Sequence, residues 1–193
     1  MELTAKPSRR DRIPGPSVEI ESDRLLLRSM TETDATPAYT AWMNDPDIVR
    51  YTESRFVSHS TDDVRHYIST INNDPNSLLL AMITRADSRH IGNIKIGPID
   101  WWHRSGDIGL LIGDTNCWGN GYGSEAIAAL SGFALGSLEL EKLTAGVYAP
   151  NIGCMRAFER AGFQQEGIRR DQCRFEDRRV DVILMGRTLD DHL

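Results

Sequence analysis

The segment Trp118-Gly119-Asn120-Gly121-Tyr122-Gly123-Ser124 lies between an apolar run and an alanine-rich one. Glycines on alternate positions remove Cβ atoms where a ligand must come close to the backbone. A helix starting directly behind them presents unpaired N–H groups and the positive end of its dipole. Together these features suit a phosphate or pyrophosphate. Spacing separates this loop from two other phosphate loops. A Walker A loop closes on Gly-Lys-Ser/Thr, and no lysine stands here. A Rossmann loop needs GxGxxG after the first strand of its unit, whereas from Gly119 the spacing is GxGxG and several strands precede it. A structural turn without a ligand is the competing reading of the loop alone.

The elements that must position this loop can be read from periodicity. Residues 18–27 form a first strand, and Thr31 or Thr33 caps a helix reaching Met43. Asn44-Asp45-Pro46 ends that helix, and residues 47–51 make a further short turn. A second helix covers 60–72, with Val64, Tyr67, Ile68 and Ile71 on one face. Residues 78–84, 90–99 and 107–113 are three successive strands, an antiparallel meander. Residues 124–138 read as helix, 143–148 as strand, 152–161 as helix, and 163–170 with 179–187 as a closing hairpin. The sum is an α+β fold: one mixed, mostly antiparallel sheet of about seven strands flanked by about four helices.

Composition narrows the function. The chain has 193 residues, enough for one domain with its own core. Its net charge of −6 argues against nucleic acid as the main target. The proline- and arginine-bearing stretch 1–17 carries +2 and reads as a flexible tail, leaving −8 on the domain 18–193. That acidity suits a cationic partner better than an acidic one. No apolar run reaches a membrane span, and no secretory h-region is present. Cys117, Cys154 and Cys173 are odd in number and form no CxxC pair, so neither a disulfide framework nor a metal site is expected. Free thiols in a reducing cytoplasm are the simpler reading.

The loop resembles the pyrophosphate loop of the GNAT acyl-CoA N-acyltransferases, Arg/Gln-x-x-Gly-x-Gly/Ala, at Gly121 and Gly123. Trp118 replaces the leading Arg/Gln. Residues 118–126 match instead the form Trp-Gly-x-Gly-x-Gly-x-Glu-Ala, which looks like the branch acetylating ribosomal protein N-termini and its small-molecule relatives. A second segment, from Asn151 through Cys154, Phe158, Glu159 and Gly162 to Phe163, is similar to the family's Asn-x-x-Ser-x-x-x-Tyr/Phe-Glu-Lys-x-Gly-Phe. The opening ESDRLLLR also looks like that branch, so the resemblance spans roughly residues 20–187.

The resemblance implies acetyl-CoA as co-substrate, no metal, and direct attack by a primary amine in a ternary complex. It implies that strand 108–112 splays from strand 143–148 and that pantetheine pairs with the exposed backbone like an added strand. Leu110, Leu111 and Ile112 then face the cofactor, with a backbone N–H among them polarising the thioester, and Gly109 is compatible with a bulge. Trp118, Gly119, Asn120, Gly121, Tyr122, Gly123 and Ser124 hold the pyrophosphate. Asn151 and Phe158 join the cofactor surface, although the Asn151 position equally suits a helix N-cap.

For catalysis, Asp107 stands where the family often has an acidic residue and is a candidate base. His103, in the loop before it, has a suitable ordinary pKa of about 6.5. The family's tyrosine acid is replaced by Phe158, which cannot donate a proton. Cys154 stands at the serine position, and as a thiol of pKa about 8.5 it is a feasible, weak donor. Packing on the helix is its competing role.

The acceptor groove is expected from the first two helices, the loop near 100–104 and the closing hairpin. Trp42, Asn44, Asp45, Tyr51, Arg55, Trp101, Trp102 and His103 are candidates by location. Arg169, Arg170, Arg174, Arg178 and Arg179 could hold a phosphate, but neighbouring acids favour a self-neutralised surface. Two acceptor classes survive: a protein N-terminus, or a small amine such as a nucleotide-linked amino sugar. Outside enzymes, an acyl-CoA-binding regulatory module without turnover competes. The expected setting is cytoplasmic, as monomer or homodimer, with no nucleic acid or membrane partner.

Overall fold

The structure, a computed structural model, describes residues 17–189. The tail expected over 1–17 lies outside the described residues except for Ser17. The strands are β1 (Glu19–Glu21), β2 (Leu25–Ser29), β3 (Leu78–Thr84), β4 (His90–Asp100), β5 (Ser105–Ile112), β6 (Lys142–Tyr148), β7 (Gln164–Phe175) and β8 (Arg178–Thr188). The helices are α1 (Pro37–Asn44), α2 (Pro46–Val49), α3 (Thr61–Asn73), α4 (Tyr122–Gly136) and α5 (Ile152–Arg160). All eight strands join one sheet in the order β1-β2-β3-β4-β5-β6-β8-β7. Only β5 and β6 run parallel.

This is the mixed α+β sheet expected, with two refinements. The first strand divides into β1 and β2 at the turn Ser22–Arg24, giving eight strands. The turn expected at 47–51 is instead helix α2, capped by the Asp45 side chain, which accepts from the Asp47 and Ile48 amides.

The long helix expected from Thr31 or Thr33 does not form. Thr31 caps only a 3-10 turn over Glu32–Asp34. Thr36 is then held extended (φ −85°, ψ 160°), because proline at position 37 crowds the residue before it out of the helical region. The helix restarts with Pro37 at its first position, where a missing N–H costs nothing.

Side-chain alternation sorts the sheet into two cores. On one face Leu25, Leu27, Leu80, Ile94, Ile96 and Ile108 meet α4 and α5. On the other, Leu79 and Ala81 meet Tyr39 of α1 and Val64 and Ile68 of α3. β3 serves both faces, which is why LLLAMIT is apolar almost throughout rather than alternating.

At the centre, β5 and β6 pair only between Ser105–Asp107 and Lys142–Thr144. Beyond these three residues the strands part into a V, the splay expected for the central pair. The bulge considered at Gly109 lies elsewhere. Gly109 pairs in register with Lys95, and the irregularity sits on β4 between Ile96 and Ile99. Pro98, within it, has no N–H for a ladder.

Candidate active site

The glycine loop closes the open end of the V. Gly119 (φ 74°) and Gly121 (φ 84°) both adopt the left-handed conformation that penalises a Cβ. Gly121 is the N-cap of α4, so the helix begins two residues earlier than the sequence suggests. The Trp118 indole N–H donates to the Ile112 carbonyl at 2.9 Å. The residue that departs from the general Arg/Gln pattern therefore locks the loop onto the end of β5. The Gly121 N–H meets no backbone acceptor among the described residues. The first-turn amides of Tyr122, Gly123 and Ser124 have no intrahelical partner. Backbone so arranged is able to hold an anion.

Strand parity places the rest. Ile108, Leu110 and Ile112 point into the core beneath α4. Asp107, Gly109 and Leu111 point to the opposite face, as do Thr144, Gly146 and Tyr148 of β6. Asp107 sits at the apex of the V, where its Oδ1 accepts from the Thr144 hydroxyl at 2.8 Å. Desolvation raises its pKa from the ordinary carboxylate value, against the lowering effect of Thr144 and of the Lys95 and Arg169 charges. A carboxylate so raised is a better proton acceptor near neutral pH.

Asn151 caps α5, its Oδ1 accepting from the Cys154 amide at 3.2 Å. Cys154 lies in the first turn of α5, half-buried against the main core. Burial pushes its thiol up to about 12. Proton transfer from it to an ordinary thiolate of pKa about 8.5 is therefore uphill. Phe158 is 1% exposed and packs edge-on against Phe163, with centroids 4.9 Å apart. His103 occupies the β4–β5 turn, its amide bonded to Asp100 at 3.1 Å. That turn is at the paired end of β5, away from the mouth of the V. The structure thus joins Asp107 to Thr144, sets Cys154 on a helix across the sheet, and leaves His103 outside the strand.

A groove of 540 Å³ lies beside the mouth, lined by Asn44, Asp47, Arg50, Arg55, Phe56 and Phe175, among others. Tyr51 stacks on Phe175 (5.1 Å, 10°), and the Arg50 guanidinium lies over both rings. Asn44 and Arg55, both acceptor candidates, line it, and sequence reasoning missed the side chains that engage Arg55. The Tyr148 hydroxyl donates to Glu53 and accepts from Arg55, whose Nη2 also reaches the Arg174 carbonyl at 2.8 Å. Desolvation, then hydrogen bonds with Cys173 and Glu53, raise the Tyr148 pKa. No sequence signal joins residues 53, 55, 148 and 173. Only the alternation of β6 could have placed Tyr148 on the Asp107 face.

Other acceptor candidates serve packing. Trp101 is buried and its indole N–H donates to Asn76 at 3.0 Å. Trp42 lies against Gly113, where a Cβ would fall 1.9 Å from its ring, and edge-on to His90. Trp102 is 51% exposed in the β4–β5 turn. None of residues 101–103 lines the groove. In the hairpin, Arg179 donates to the Asp171 carbonyl and Arg50 pairs with Glu176.

A sheet splayed at one parallel pair, with an anion loop at the mouth and a carboxylate at the apex, has the form of an acyl-transfer site of the GNAT type. A family model described as an acetyltransferase (GNAT) domain matches residues 24–164, and the chain belongs to that family. It is 28% identical over 168 residues to the uncharacterized N-acetyltransferase p20 of Bacillus licheniformis, covering 86% of this chain and 93% of that protein. Its fold is similar to RimL, a ribosomal L7/L12 alpha-N-protein acetyltransferase solved with coenzyme A (TM-score 0.80, 16% identity, 90% of this chain and 99% of that one). It is also similar to spermidine N-acetyltransferase from Vibrio cholerae, solved with CoA and spermine (TM-score 0.77, 21% identity, 86% and 96%). Among the described residues no helix is long and apolar enough to cross a membrane, and no cluster of three potential metal ligands occurs.

Proposed function

We propose that the chain is an N-acetyltransferase moving an acetyl group from acetyl-CoA to a primary amine by direct attack in a ternary complex. The observation that carries this reading is the V itself, with Asp107 at its apex and the glycine loop at its mouth. The loop and the first turn of α4 bind the pyrophosphate. Pantetheine lies along Leu110, Leu111 and Ile112, with Asn151 beside it. One of the β5 amides polarises the thioester carbonyl as charge builds on its oxygen. Asp107, alone or through one water, takes the proton of the ammonium, and the freed amine attacks. The departing thiolate is a tolerable leaving group, so Cys154 contributes packing and at most a weak hydrogen bond.

The acceptor is a small cationic amine. The groove arginines are spent internally: Arg50 on Glu176, and Arg55 on Tyr148 and two carbonyls. Glu176 is likewise taken by Arg50, which leaves the exposed Asp47 as the lining carboxylate without a salt bridge among the described residues, and it favours a cationic ligand. Spermine in the Vibrio cholerae structure is a ligand of that chemistry. A protein N-terminus is the second reading, favoured by the likeness to RimL and by the Trp118–Ala126 motif of that branch. The enzyme acts in the cytoplasm as monomer or homodimer, and His103 takes no part in the proton transfer. Thiol release from acetyl-CoA measured against diamines, amino sugars and short peptides tests the assignment. A peptide turned over faster than every small amine would overturn the small-amine reading.

A further inference from the structure

The β1–β2 turn lies far from the glycine loop in sequence but touches it in space. Glu125, in the first turn of α4, is gripped from that turn on both carboxylate oxygens. Oε1 accepts from the Ser22 hydroxyl at 2.8 Å and the Arg24 amide at 2.7 Å. Oε2 accepts from Arg24 Nε and Nη2, both at 2.7 Å. The same guanidinium lies 4.4 Å from the Tyr122 ring centroid, and its Nη1 donates to the Asn120 carbonyl at 2.9 Å.

The last bond has a consequence for the anion site. In a trans peptide the C=O and the following N–H point in opposite directions. Holding the Asn120 carbonyl toward Arg24 turns the Gly121 N–H away from Arg24, to the side left free for an anion. A flip of this one peptide would aim a carbonyl oxygen where the N–H should be. Gly121, lacking a Cβ, resists such a flip less than other residues. Glu125 adds a second reason for the contact, since an unneutralised carboxylate one turn from a pyrophosphate would repel it.

We infer that Arg24, braced by Glu125, is a positioning residue for acetyl-CoA: it clamps the Asn120–Gly121 peptide so that the Gly121 N–H faces the pyrophosphate. The inference rests on the cofactor reading above and adds to it a residue outside the loop.

Two acetyl donors separate the clamp from a general structural role. Acetyl-CoA carries the pyrophosphate and S-acetylpantetheine does not. For Arg24→Ala, kcat/KM with acetyl-CoA should fall about tenfold through KM, while kcat/KM with S-acetylpantetheine stays within twofold of wild type. Arg24→Lys should recover little, because one ammonium cannot reach both Glu125 and the Asn120 carbonyl in the geometry of the fork. Calorimetric binding of CoA provides the same comparison without an acceptor, with the dissociation constant again rising about tenfold. Equal losses with both donors, no loss with either, or full rescue by lysine would overturn the clamp. Wild-type chain that binds no CoA would overturn the cofactor reading and the clamp together.

Discussion

The cofactor side and the acceptor side of the V are built in opposite ways. The cofactor side is nearly continuous in sequence: β5, the glycine loop and α4 follow one another from residue 105 to 136. In the proposed site its chemistry falls to backbone amides and to two left-handed glycines. The proposed acceptor side is assembled from Glu53, Arg55, Tyr148, Cys173 and Phe175, which come from three separate segments of the chain. Backbone sites demand a local pattern, so they leave a motif. Side-chain sites demand only proximity, so they leave almost none, and their residues can change with the substrate while the sheet stays the same.

That contrast can be broken most sharply at Asp107, where the two sides meet. Asp107→Asn should lower kcat by about 10²–10⁴, the usual contribution of a general base. Binding of acetyl-CoA should be unchanged. The pH profile of kcat/KM carries a second sign. Activity should rise as Asp107 loses its proton, with a midpoint above the ordinary carboxylate range because desolvation raises it. The variant should lose that limb. A midpoint near an unperturbed carboxylate, or a limb that survives in Asp107→Asn, would move the base elsewhere.

Gly121→Val tests the cofactor side alone. A β-branched residue at φ 84° costs about 1–2 kcal/mol, a five- to thirtyfold loss when it falls on binding. The loss should appear in KM for acetyl-CoA and spare KM for the amine. Tyr148→Phe tests the acceptor side alone. It removes one hydroxyl shared by Glu53 and Arg55 and should raise the amine KM a few-fold with no change for acetyl-CoA. If both variants shifted both constants, the two sides would not be separable. The smallest effect belongs to Cys154→Ala. A thiol held near 12 is a poor acid, so turnover should stay within about threefold of wild type. A larger loss, rescued by serine, would restore it as the proton donor.

The same contrast explains what could be read from the sequence. The strand–loop–helix unit was legible because Gly119, Gly121 and Gly123 are spaced for it, and the α+β class followed from the meander and the flanking helices. The splay of β5 from β6 came only with the family resemblance, since no residue pattern announces an absent pairing. The helix expected from Thr31 or Thr33 failed at Pro37, which was visible in the sequence and outweighs the cap signals six and four residues before it. Trp101 and Trp102 are acceptor candidates by location, yet one is buried and hydrogen-bonded and the other stands outside the groove. Tyr148 went unnoticed because its partners lie about 95 residues earlier in the chain. Arg24 was hidden for the same reason, although ESDR and the glycine motif were each visible alone.

The most direct measurement is amine-dependent release of free thiol from acetyl-CoA by the purified chain and its Asp107→Asn variant, run beside calorimetric binding of acetyl-CoA. Transfer by direct attack requires that wild type bind acetyl-CoA and release thiol only when a cationic amine is present. It also requires that the variant bind equally well and release at least a hundredfold less. Equal binding by both, with no thiol released by wild type for any amine, would contradict an acetyltransferase and match an acyl-CoA-binding module.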